Sequence, residues 1–181
     1  MKKSNAKSLA FAALLLAICI ASQFFKNLSV YITGPIINAC LIICTISCGL
    51  MYGIILSVIT PLTSFLITGS PIMAAIPIIM PCVMAGNIIL VLFVDILKNK
   101  PNRKIGFPLS MVVGSIVKAL FMGVVIALLI IPAYLPEKMM AKKVVFQTTF
   151  SITQLITALI GSAIAYAVAI PLKKTGMGKS E

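Results

Sequence analysis

The sequence predicts an all-α membrane protein: a six-transmembrane-helix bundle forming one integral domain over residues 1–181. Three observations carry that prediction. Of 181 residues, 61% are hydrophobic and 10% charged, with a mean hydropathy of +1.17, whereas soluble domains run near about 45–50% apolar and about 25% charged. Six apolar segments can be drawn, most of them near or above the roughly 20 residues a helix needs to cross about 30 Å of hydrocarbon. The charge that gives a net +12 is gathered in the gaps between those segments.

The first span covers about Lys7–Phe25. Met1–Ser22 also has the order of a signal peptide: lysines, an apolar core, then small residues. Its apolar run is long for one, and everything after it is equally apolar, so it is read as a span. The second span, about Gly34–Cys48, and the third, about Gly49–Thr68, are short, which predicts a tilted pair joined near Gly49–Gly53. The fourth, about Pro71–Leu97, contains Pro71, Pro77 and Pro81. An interior proline removes an i to i−4 hydrogen bond, so a kink or broken turn is expected in its outer half. In lipid such backbone is tolerated only against protein or a water-filled cavity. The fifth span runs over about Ile105–Ile131 and the sixth over about Val145–Leu172.

Six crossings put both termini on one side. That side, with the 98–104 gap, carries Lys2, Lys3, Lys7, Lys98, Lys100, Arg103, Lys104, Lys173, Lys174 and Lys179. The opposite side carries Lys26, Lys138, Lys142 and Lys143. Cytoplasmic loops hold the excess of Lys and Arg, so both termini are expected in the cytoplasm, with the chain crossing the cell membrane. This charge is topological, and nucleic acid is not among the expected partners.

Lys118 is the most informative residue, because it interrupts a stretch otherwise apolar enough to span. A charge at that depth costs about 2.5–3.5 kcal/mol on insertion scales and by default marks a functional site. The other intramembrane polar residues are Asn38, Asn87, Asp95, Gln147 and Gln154. Counting 1.5 Å per residue along each span lets Asn87, Lys118 and Gln154 converge in the middle-to-outer bundle. Gln147, Ser151 and Gln154 fall on one face of the sixth span, Met80, Met84 and Asn87 on one face of the fourth, and Ser115 lies one turn from Lys118. A Met-lined cavity with an ammonium and two amides suits a small organic ligand bearing an anionic or strongly polar group. The bland alternatives are a structural polar cluster, pairing with Asp95, or snorkelling. Asp95 itself sits beside Lys98, where an interfacial ion pair is preferred.

Two stripes of small residues are also present: Ala13, Ala17 and Ala21 in the first span, and Gly161, Ala165 and Ala169 in the sixth. Such faces let helix backbones approach closely in lipid, within the bundle or against a partner subunit. Cys40, Cys44 and Cys48 share one face and cannot bridge one another; buried packing is preferred to a thiolate metal site. With no histidine and three carboxylates, no metal site or cofactor is expected. There is no phosphate-binding loop, no carboxylate pair for hydrolysis and no clear inverted repeat of broken helices. The chain reads as a binding unit without its own energy source.

The six-span plan with short second and third helices resembles the substrate-binding S component of energy-coupling factor (ECF) transporters. So do Ala13-xxx-Ala17, extended to Ala21, Gly49-Leu-Met-Tyr-Gly53 entering the third span, and Gln154-Leu-Ile-Thr-Ala-Leu-Ile-Gly161 in the sixth. The resemblance covers essentially the whole chain and rests on the combination. It implies capture of a vitamin or related organic micronutrient from outside, then association with a transmembrane coupling subunit and two cytosolic ATPases. It also implies that Ala13, Ala17 and Ala21 dock the coupling subunit, and that Tyr31, Asn87, Lys118 and Gln154 contact the ligand. Cobalt and nickel members use an N-terminal histidine and thiamin binders lean on tryptophan; this chain has neither residue. Tyr31, Tyr52, Phe24 and Phe25 remain as candidate stacking groups, and Lys118 favours a carboxylate- or phosphate-bearing cargo such as pantothenate. The alternatives are a self-sufficient secondary carrier, or a membrane enzyme or assembly protein.

Overall fold

The computed structural model describes residues 2–25, 29–98 and 103–174. Among these the secondary structure is helical, and six stretches are long and apolar enough to cross a membrane: residues 6–23, 30–47, 50–68, 79–97, 108–134 and 137–170. Lys26, Lys100 and Lys179 lie outside the described residues. So do the side chains of Lys2, Lys3, Lys98, Arg103, Lys104, Lys173 and Lys174, and with them the expected Asp95–Lys98 pair.

α1 (Lys2–Gln23) is followed by α2 (Val30–Ser47) and α3 (Leu50–Thr68). α2 begins four residues before the segment drawn from Gly34, because Ser29 caps it: its Oγ accepts from the Tyr31 N–H at 3.1 Å. A serine at that position satisfies one of the free amides of a helix start. The α2–α3 turn is made by Gly49 at φ 101°, a left-handed conformation that only glycine adopts without a Cβ penalty.

The fourth segment is two helices, α4 (Pro71–Ala75) and α5 (Ile79–Lys98). The chain breaks at residues 76–78, around Pro77. α6 (Arg103–Met122) widens into a π-helical stretch, Gly123–Ile130, and ends as α7 (Ile131–Tyr134). The sixth segment is also divided. A 3-10 turn (Glu137–Lys142) leads into α8 (Lys143–Phe150), and α9 (Ile152–Lys174) follows after Ser151, whose backbone leaves the helical region at φ −119°, ψ −90°. The Ser151 hydroxyl donates to the Gln147 carbonyl at 2.7 Å, occupying an acceptor at the break.

α2 is the central helix. Of its spanning residues 61% are buried, against 28% for α1, and it packs on α1, α3, α5 and α9. α9 approaches α2 closely at Gly161, where an added Cβ would stand 2.7 Å from Asn38 Cβ and 2.8 Å from the Pro35 carbonyl. Ala165 and Ala169 continue that contact and are buried. The small-residue stripe of the sixth segment is therefore used inside the bundle. Ala13, Ala17 and Ala21 are exposed along α1. Cys19, Cys40 and Cys44 are free thiols packed in the apolar core.

Two apolar clusters form the core. One, toward the end carrying the termini, joins Leu15, Leu41, Ile42, Leu90, Val91 and Met111. The other, toward the opposite end, joins Ile72, Ile79, Met122, Ile126, Ile131 and Phe150. Along α5 and α6 the boundary between them falls at Asn87 and Lys118.

Candidate functional site

Lys118 is 2% exposed. Its Nζ donates to Asn38 Oδ1 at 2.6 Å and to Asn87 Oδ1 at 2.8 Å, which ties α6 to α2 and α5 in mid-bundle. Asn38 is itself oriented by its Nδ2, which donates to the Gly34 carbonyl at 3.0 Å. Amide oxygens solvate an ammonium but carry no net charge, so these two contacts do not cancel a positive charge on Lys118. Hydrogen bonds to a charged partner are about twice as strong as neutral ones. Asp95 is eight residues further along α5, about 12 Å at 1.5 Å per residue. The lysine neither snorkels nor pairs with that carboxylate.

Beside this cluster lies a cavity of about 260 Å³. Asn38, Asn87 and Lys118 form its polar floor, while Thr33, Thr60 and Ser64 supply hydroxyls on the α2 and α3 walls. Ile37, Val83, Met73, Phe146 and Phe150 make the apolar surface, and α4 and α8 contribute lining at the end away from the termini. Gln154 also lines it, with its Nε2 donating to the Thr149 carbonyl at 3.3 Å. Two walls are fastened to the end of α1: Thr33 Oγ1 donates to the Ser22 carbonyl at 3.1 Å, and Gln23 Nε2 donates to the Thr60 carbonyl at 3.0 Å.

The structure brings Asn87, Lys118 and Gln154 around one cavity. It does not bring Tyr31 there: that ring is 54% exposed, with its hydroxyl 3.5 Å from Thr153 Oγ1. Phe24 and Phe25 are exposed and Tyr52 packs on the apolar core, so the aromatic faces on the cavity are Phe146 and Phe150 instead. The expected methionine lining is also corrected, since Met73 lines the cavity and Met80 and Met84 do not. Gln147 and Ser151 face a different groove, because the break at Ser151 turns α8 relative to α9. Asn38 is the residue that sequence reasoning left out of the site. It stood among the intramembrane polar residues, and eight residues from the start of α2 is about 12 Å, the depth of the lysine cluster.

Fold and cavity together define a polytopic membrane protein with a small cavity that has the Lys118 amine and the two amide oxygens it contacts at its floor. The chain matches the family described as ECF transporter, substrate-specific component, over residues 7–173, and it belongs to that family. It is thus a transport subunit and not an enzyme, one that serves a small substrate together with an energy-coupling module. No curated protein and no solved structure matches the chain.

Proposed function

We propose that the protein captures a small organic acid from outside the cell, a vitamin or related micronutrient of pantothenate type, and presents it for uptake driven by two cytosolic ATPases through a transmembrane coupling subunit. One observation carries this reading: a buried ammonium, bonded to two neutral amide oxygens, faces a chamber. An ammonium has three donor positions, two of which are taken, so the third is available to a carboxylate.

A single cation at the floor suits a monoanion better than a dianionic phosphate. The hydroxyl oxygens of Thr33 and Thr60, whose protons go to the Ser22 and Leu56 carbonyls, still accept from polar groups along a ligand, and Phe146 and Phe150 suit an apolar middle. The chamber's volume of about 260 Å³ lies just below the about 300–1,000 Å³ usual for small-molecule sites, which suits a small cargo. In this reading Lys118 binds the acid, Asn38 and Asn87 position the ammonium, and Gln154 contacts the ligand elsewhere. The exposed face of Ala13, Ala17 and Ala21 docks the coupling subunit through close helix approach, and both termini lie in the cytoplasm.

The test is native mass spectrometry of gently purified protein, which should release a small carboxylic acid, followed by reconstitution. Uptake of that acid only with the ATPases present supports the reading. Uptake by the isolated chain without ATP overturns it.

A further inference from the structure

A second cavity, about 490 Å³, lies between α6 with its π-helical extension and α8–α9. Its floor is small: Ala119, Gly123 and Ala127 recur every four residues, and Gly123 faces Ser151. Its walls are large and exposed, formed by Leu120, Leu128, Val144 and Ile152. The polar side chains along it are occupied within the chain. Gln147 Nε2 donates to the Ala127 carbonyl at 2.8 Å, Thr148 Oγ1 to the Val144 carbonyl at 2.9 Å, and Ser151 Oγ to the Gln147 carbonyl at 2.7 Å. The groove therefore presents hydrocarbon to whatever fills it.

Its length and its rim identify the occupant. From Val144 to Leu155 the groove follows eleven residues, at most about 16 Å at 1.5 Å per residue because the chain turns at Ser151, close to one leaflet of a bilayer whose hydrocarbon is about 30 Å thick. Lys143 and Lys142 directly precede Val144, the lining residue at that end, with Lys138 one turn further and Glu137 the one carboxylate in that segment. Lys143, Gln147 and Ser151 are spaced by four, so this lysine stands on the groove's own face of α8. Lysines at this level keep their ammonium groups at the interface while their stems lie on apolar surface.

We propose that this groove seats one acyl chain of an anionic phospholipid, whose headgroup phosphate rests on Lys142 and Lys143. A tail fills the one-leaflet slot, and the cationic rim selects the headgroup. The site is separate from the Lys118 chamber and does not depend on the cargo assigned there.

The chain has no tryptophan, so a single introduced one reports its own lipid contacts. Leu128→Trp places it on the groove wall, and Leu66→Trp on the exposed outer part of α3 serves as reference. Each variant of the full chain is reconstituted in phosphatidylcholine vesicles containing tail-brominated phosphatidylglycerol or tail-brominated phosphatidylcholine. At Leu128→Trp, phosphatidylglycerol should quench at an about threefold or more lower mole fraction, given two lysines at an anionic headgroup. The reference should show no preference, and adding Lys142→Gln and Lys143→Gln to Leu128→Trp should abolish it. Equal quenching by the two lipids at Leu128→Trp overturns the proposal, as does a preference that survives the double lysine substitution. Loss of quenching by both lipids on addition of the coupling subunit would instead assign the groove to a polypeptide.

Discussion

Asn38→Asp isolates the claim that Lys118 keeps its charge for a ligand. The substitution is isosteric, and its carboxylate would stand where Oδ1 now accepts from Nζ at 2.6 Å. The ammonium then has an internal counter-ion, and an anionic ligand must share it. Two like charges about 5 Å apart on one ammonium repel by about 3 kcal/mol at an effective dielectric of about 20. Since about 1.4 kcal/mol is a factor of ten in Kd, affinity for the acid should fall by about a hundredfold. The ligand-free protein gains a buried counter-ion but loses the Nδ2 donor to the Gly34 carbonyl, so ligand affinity rather than Tm is the readout.

Titration calorimetry on the purified subunit measures the first effect, with the acid that it retains and with the corresponding amide. The amide has no charge for the new carboxylate to repel, so Asn38→Asp should change its affinity far less. That difference separates electrostatic competition from a distorted chamber, which would weaken both ligands alike. Undiminished affinity for the acid would make Lys118 a strut between helices and refute the reasoning.

Lys118→Met should weaken acid binding by about tenfold or more, the loss of a charge-assisted hydrogen bond of about 1.5–3 kcal/mol. It should still insert normally, which the yield in the membrane fraction checks, since removing the charge lowers the insertion cost. Ala17→Trp, on the exposed face of α1, should block assembly with the coupling subunit in co-purification while leaving Tm and ligand affinity unchanged. Gly161→Val should lower Tm by an amount corresponding to about 1–3 kcal/mol or more of overpacking, because its Cβ meets Asn38 and the Pro35 backbone. It should weaken acid binding as well, by moving Asn38.

The spans were legible because hydrocarbon thickness and apolar run length are tied by a fixed rise per residue. Lys118 was legible because an ammonium in such a run needs an account whatever surrounds it. The break at residues 76–78 was announced by its prolines. The π-helical stretch at Gly123–Ile130 and the turn at Ser151 were not, since no proline marks either one. The turn at Ser151 is where prediction of the site went astray. A continuous helix puts Gln147 and Gln154 on one face; a turn between them sends one to the groove and the other to the chamber. Phe146 and Phe150 reach the chamber on α8, whereas of the predicted aromatic candidates Phe24, Phe25 and Tyr31 are exposed and Tyr52 packs on the other core cluster. Asn38 illustrates a different limit. Its depth could be counted, but which neighbour an amide contacts depends on how α2 is rotated, and that is set by close packing against Gly161.

The arrangement also separates the two tasks proposed for the protein. The chamber is built around α2, the most buried helix, and its floor joins α2, α5 and α6 through a single lysine. α1 is peripheral, and its last turn is fastened to the chamber wall by the Thr33–Ser22 and Gln23–Thr60 hydrogen bonds. Ala17 lies more than a turn from those attachments, on the side facing away from the bundle. A bulky group there meets no chamber residue, whereas a change at Gly161 reaches Asn38 directly. Substitutions at these two positions therefore report on different processes. Loss of docking with binding intact at Ala17, and loss of binding at Gly161, would follow from geometry alone. The opposite pattern would not follow from this packing, because Ala17 faces away from the bundle and α1 reaches the lysine cluster through the helices it packs on, α2 and α3.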